Sequence, residues 1–167
     1  MSDNVYLGNP NLKKANTAIE FTQEQILEFM KCKEDPVYFA NNYIKIVSLD
    51  EGLTQFHPYH FQEKLINNFH ENRFNICKMP RQTGKSTTVV SYLLHYAVFN
   101  DSVNIGILAN KAATARELLG RLQTAYENLP KWMQQGIVAW NKGSLELENG
   151  SKILAASTSA SAVRGMS

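Results

Sequence analysis

RFNICKMPRQTGKSTTVVSYLLHYAVF, residues 73–99, changes period partway along, and that change decides how the chain is read. RFNICKM, residues 73–79, is short and apolar at alternate positions, which is the period of a strand. From Lys85 to Phe99 the apolar residues recur at helical spacing. The segment between, Met79 to Thr87, matches the last three fixed positions of G-x-x-x-x-G-K-[ST] at Gly84, Lys85 and Ser86, with Met79 where the first glycine would stand. A loop of this kind turns backbone N–H groups toward phosphate oxygens at a helix N-terminus, where the helix dipole also favours negative charge. Gly84 permits the close approach, Lys85 reaches the β and γ phosphates as a point charge, and the Ser86 hydroxyl is placed to ligate magnesium. A bare GKS arises often by chance, but one set between an expected strand and an expected helix does not. Gln82, Thr83, Gly84, Lys85, Ser86 and Thr87 therefore read as a cradle for ATP with Mg2+.

Downstream, VNIGILA (Val103 to Ala109) is expected as a second strand, apolar on both faces as a central parallel strand would be. Ala112, Ala115, Leu118, Leu119, Leu122, Ala125, Tyr126 and Leu129 then repeat at three- and four-residue steps until Pro130 ends the run. Strand, helix, strand, helix points to a right-handed parallel α/β unit. SLELENGSKILAAS alternates apolar and polar residues around Asn149-Gly150, a strong hairpin signal. Upstream, three helices form a front piece. One starts after Thr22, whose pairing with Gln25 is a capping-box pattern; one starts at Asp35-Pro36; and a third is opened by Pro58 after the Asp50-Glu51-Gly52 turn.

The 167 residues are 44% apolar, which suits a domain with a buried core and excludes wholesale disorder. The longest apolar runs are only a few residues and the first fourteen residues are polar, so a soluble intracellular chain is expected, without membrane association. Two cysteines, Cys32 and Cys77, make neither a disulfide framework nor a zinc site and are expected as small buried hydrophobes. The net charge of +2 is split unevenly. Residues 1–70 carry 6 Lys against 9 Asp or Glu; residues 71–167 carry 11 Lys or Arg against 6 acids and hold every arginine. An anionic partner suits the second part, although a solvated basic face explains the same count.

Arg81 sits inside the loop, where a guanidinium either pairs with a surface acid or stabilises charge developing on a transferred phosphoryl group. Gln62, 23 residues before Lys85, has Phe61 and Tyr59 beside it. An amide matches the donor and acceptor edge of adenine and an aromatic ring stacks on the base, while a helical glutamine is more often simply solvated. His57 and His60 have no third ligand to complete a metal site. Trp132 and Trp140 suit core or interface anchoring, and Arg116 and Arg121 suit the solvated face of the long amphipathic helix.

RQTGKST with its upstream Gln62, the NLKKAN and KCKEDPVYFANNY segments, GIVAWNKGSLELENGS and the final AVRG together resemble the large terminase subunit of tailed bacteriophages, most closely that of large myoviruses, from about residue 7 to 167. The resemblance implies an ATP-driven motor that pumps viral DNA into a procapsid, joined in the full-length protein to an RNase H-like nuclease. It implies a phosphate-loop NTPase fold: three-layer α/β/α with a mostly parallel sheet, here truncated. Residues 1–70 would form a helical lid with an adenine-reading motif, and residues 71–167 the first part of the ATPase domain. By position, Gln62 resembles the adenine-reading glutamine, with Phe61 beside it. Lys85 and Ser86 resemble the phosphate and magnesium contacts, Arg81 the loop arginine, and Arg164 an arginine that reaches a neighbouring subunit's ATP. Implied partners are double-stranded viral DNA, the portal protein, the small terminase subunit and further copies in a ring on the portal. The implied location is the host cytoplasm during assembly, outside the mature virion.

The family's acidic pair is expected about a dozen residues beyond Arg164, and no apolar strand ending in Asp-Glu occurs earlier. The sequence is accordingly read as an N-terminal fragment that binds nucleotide without turning it over. A helicase-like DNA-dependent ATPase, and a nucleotide-holding or docking module, are the alternatives.

Overall fold

The computed structural model describes residues 4–48 and 50–158. Helix α1, Gln23–Glu34, starts where the capping box places it: Thr22 Oγ1 accepts from Gln25 N–H at 3.2 Å and Gln25 Oε1 accepts from Thr22 N–H at 3.0 Å. Asp35 closes that helix and opens α2, Pro36–Tyr43, accepting from the Val37 and Tyr38 N–H groups at 2.9 and 2.8 Å with Pro36 in the first turn. An antiparallel ribbon missed in the sequence follows, β1 (Lys45–Ser48) and β2 (Gly52–Gln55), turning at the Asp50-Glu51-Gly52 segment. Helix α3 is His60–Glu71, two residues after Pro58.

Helix α4, Lys85–Phe99, leaves the loop as expected. Strand β3 (Asn104–Ala109), helix α5 (Ala112–Glu127), and strands β4 (Ile137–Trp140), β5 (Ser144–Leu147) and β6 (Lys152–Ser157) complete the described chain. The side chain of Asn149 at the hairpin tip does more than turn the chain. Its Nδ2 donates to the carbonyls of Ala97 and Asn100 at 2.9 and 3.0 Å, pinning the C-terminal end of α4 to the sheet.

Three expectations are corrected. Residues 73–79 form no strand: among the described residues nothing pairs with them, and Phe74 and Ile76 are 82% and 101% exposed. Alternation supplies a strand's side-chain pattern but not a neighbour for its N–H and C=O groups, and a strand needs both. Among the described residues the sheet is not mostly parallel. Its order is β3-β6-β5-β4, with β3 parallel to β6 and both remaining pairs antiparallel, because two successive hairpins fold back on β6. Nor, among the described residues, is the sheet covered on both faces. Ile105, Ile107, Ile153 and Ala155 turn to the α5 side, whereas Leu108 and Leu154 on the other face are 41% and 40% exposed. Among the described residues VNIGILA is thus an edge strand buried on one side.

Front helices and sheet share one core: Phe39, Ile44 and Ile66 pack in the same apolar cluster as Leu94, Leu119 and Ile153. Trp132 and Trp140 pack against that core edge-on to Tyr43 and tilted to Tyr126. Cys32 is fully buried, but Cys77, in the strandless segment, is only half-buried. The N-terminal segment is strapped to the β4–β5 hairpin through Lys13 Nζ and Glu148 Oε1 at 3.0 Å. Burial pushes the Glu148 carboxyl up, yet the Gly136 and Asn16 N–H groups and the Lys13 ammonium outweigh it and hold it below the ordinary carboxylate value.

Candidate phosphate-binding site

Gly84 stands at the N-cap of α4 with φ 72, a left-handed conformation that glycine adopts without steric cost, and Gln82 two residues earlier has φ 63. The loop is braced at both ends. Thr83 Oγ1 donates to the Pro80 carbonyl at 3.1 Å, and Thr88 Oγ1 donates to the Gly84 carbonyl at 3.0 Å. No side chain caps α4 and no acid lies in its first turn, which leaves first-turn N–H groups and the positive end of the helix dipole for a ligand.

A cavity of about 450 Å³ lies against this turn, lined by residues 80–87 and by Arg121 of α5. Three cations, Arg81, Lys85 and Arg121, line it, and none of its lining residues is a carboxylate. Among the described residues Arg81 makes no ion pair with an acid. The place of Arg121 was not legible in the sequence. It stands 36 positions after Lys85 on a helix whose polar face looks solvated, and only the packing of α5 beside α4 brings it to the loop.

A second cavity, of about 590 Å³, opens beside the first and shares Gln82, Thr83, Gly84 and Thr87 with it. Tyr59, Phe61 and Gln62 of the α3 start form part of its wall, and Ile46, Ser48 and Glu51 of the β1–β2 ribbon another. The Tyr59 and Phe61 rings lie parallel within 10° at 5.9 Å and are exposed. Gln62 is buried in the wall of the second cavity and bonds to the loop that both cavities share. Its Oε1 accepts from the Tyr59 N–H at 2.8 Å and its Nε2 donates to the Thr83 carbonyl at 3.3 Å. One lone pair and one N–H of the amide are left over.

Phe61, Gln62, Arg81 and the loop residues are therefore brought together, whereas Arg164 lies outside the described residues. His57 lines the second cavity, and His60 approaches Glu63 at 3.6 Å. Among the described residues no group of three or more His, Cys, Asp or Glu side chains is poised to hold a metal. A magnesium ion carried on phosphate oxygens needs no such cage, and the Ser86 hydroxyl on the cavity wall is a suitable hard ligand for it. Among the described residues no helix is long and apolar enough to cross a membrane.

The family model for the N-terminal part of the large terminase subunit, T4likevirus-type, matches residues 76–167. The match takes in the loop, α4, α5 and the whole four-stranded sheet, and leaves α1–α3 with Phe61 and Gln62 outside it. Covering more than half of the chain, it identifies the protein as a member of the T4likevirus-type large terminase family, in the N-terminal region of that subunit, with a role in viral DNA packaging.

Proposed function

We propose that the two joined cavities bind ATP with Mg2+, and that the chain is the ATP-binding part of the motor driving viral DNA into the procapsid. The observation that carries this reading is the shared wall. A base held beside Tyr59, Phe61 and Gln62 runs its phosphates past Gln82–Gly84 into a cavity with three cations and an uncapped helix start. The leftover donor and acceptor of Gln62 match the amino group and N7 of adenine. Lys85 offsets charge on the β and γ phosphates, Ser86 ligates magnesium, and Arg81 faces charge that builds on the transferred group.

Arg164 would act on a neighbouring subunit's ATP in a ring of copies docked on the portal, with the small terminase subunit and double-stranded viral DNA as further partners in the host cytoplasm. Among the described residues no carboxylate lines the phosphate cavity, and this chain is proposed to bind the nucleotide with turnover at background. The test is Lys85→Ala in the full-length protein, which is expected to abolish ATPase and packaging. Retention of more than a few per cent of either contradicts the assignment. Mixing Lys85→Ala with Arg164→Ala subunits tests the inter-subunit role: partial rescue supports it, and no rescue in assemblies proven mixed contradicts it.

A further inference from the structure

We infer that Arg121 is a phosphate-contacting residue of this site, supplied by α5 rather than by the loop, and that it reads the terminal phosphate of a bound triphosphate. The inference rests on the ATP reading of the two cavities and adds to it the residue that distinguishes triphosphate from diphosphate.

Three features of the fold support it. Glu117, Gly120, Arg121 and Thr124 recur at i, i+3, i+4 and i+7 on one face of α5, apart from the stripe of Ala115, Leu119, Leu122 and Tyr126 buried in the core. That face lines a neighbouring cavity of about 790 Å³ together with Thr87, so α5 presents it toward the start of α4. Second, Arg121 lines the phosphate cavity but not the base cavity, whereas Gln82, Thr83 and Gly84 line both. A nucleotide whose base lies near Gln62 therefore meets Arg121 with its phosphates rather than its base, and α5 brings this cation to them from outside the loop that supplies Arg81 and Lys85. Third, the guanidinium is already oriented. Its Nη2 donates to Glu117 Oε1 at 2.7 Å in an i, i+4 pair with the acid on the favourable N-terminal side.

Both partners of that pair are more than half exposed, so the pair itself adds little to stability. Its effect is geometric. One donor is engaged by Glu117, and the others of the five remain for a phosphate, which a planar fork grips with two parallel hydrogen bonds. Glu117 is then a positioning residue that leaves Arg121 free to bind, and the loop is spared having to supply every positive charge.

The experiment measures affinity of the chain for a non-hydrolysable ATP analogue and for ADP, by calorimetry or fluorescent displacement. The native protein is compared with Arg121→Ala, Arg121→Lys, Lys85→Ala and Arg116→Ala, each first shown to melt near the native temperature. Arg121→Ala is expected to weaken the ATP analogue about tenfold, the scale of one charge-assisted contact, with ADP changed less than about twofold. Arg121→Lys keeps charge but loses the fork and falls between. Lys85→Ala abolishes binding of both nucleotides, and Arg116→Ala, which removes a charge from the same helix away from the cavity, changes neither. If Lys85→Ala weakens binding while Arg121→Ala shifts ATP analogue and ADP equally or not at all, the role given to Arg121 is wrong and the ATP reading stands. If Lys85→Ala has no effect either, both fall.

Discussion

The Nε2 of Gln62 fills the space that a β-carbon on Gly84 would occupy. Helix α3 and the phosphate loop are therefore packed side chain to backbone, which links the walls of the base and phosphate cavities at this point. Gly84→Ala would force either Gln62 or the loop aside, on top of about 1–2 kcal/mol for placing an L-residue at φ 72. We expect a lower melting temperature together with loss of nucleotide binding. A variant that melts and binds as the native chain does would show that this packing is unimportant.

Gln62→Ala removes both the bond to Thr83 and the proposed base contact. The preference for ATP over GTP should fall by about 1–2 kcal/mol, the size of a lost hydrogen bond with its unpaired partner. Equal weakening of both nucleotides, measured by competition, would leave Gln62 a brace for the loop and nothing more.

The pairing of Thr22 with Gln25 and of Asp35 with Pro36 was legible in the sequence because caps are local: the side chain and the N–H it serves lie within three residues. The loop was legible for the same reason, as its glycine, lysine and serine are consecutive. Residues 73–79 misled because a strand is defined by its neighbour and not by its own alternation. Phe74 and Ile76 carry the pattern and lie bare. VNIGILA misled in the same way, since its apolar residues on both faces say nothing about which face a helix covers. Arg121 was out of reach because its partner in the site is 36 residues away and meets it only through helix packing.

Asn149 illustrates a residue whose visible role conceals a second one. Its dipeptide with Gly150 announces a turn, but its side chain holds the end of α4 through two carbonyls. Asn149→Ala should cost about 1–3 kcal/mol in urea unfolding, because it removes the side-chain donor to the Ala97 carbonyl and leaves the Asn100 carbonyl with the Ser151 hydroxyl alone. Asn149→Asp, which replaces the donor with an acceptor, should cost at least as much. Native stability in either variant contradicts the pinning.

His95 lies buried among Phe39, Tyr92 and Phe99, near His70, with Nε2 2.8 Å from the Cys32 carbonyl. The neutral imidazole donates there. Burial pushes its pKa down from 6.5 to about 4. Between those two values the unfolded chain takes up a proton that the native chain refuses, so stability is full above pH 6.5 and declines as pH falls toward 4. His95→Gln should remove that part of the decline, about 2–3 kcal/mol between pH 7 and pH 4.5. Identical pH dependence of unfolding in the two proteins would contradict a neutral buried imidazole.

The most direct test of the central claim is titration of the 167-residue chain with ATP and Mg2+ at fixed ionic strength, native against Lys85→Ala, with phosphate release followed in the same samples. The cradle of loop N–H groups, Lys85 and the flanking arginines predicts saturable binding that Lys85→Ala abolishes. With no carboxylate among the described residues on the wall of the phosphate cavity, phosphate release should stay at background in both. Binding unchanged by Lys85→Ala, or hydrolysis by the native chain that disappears in the variant, would contradict this account.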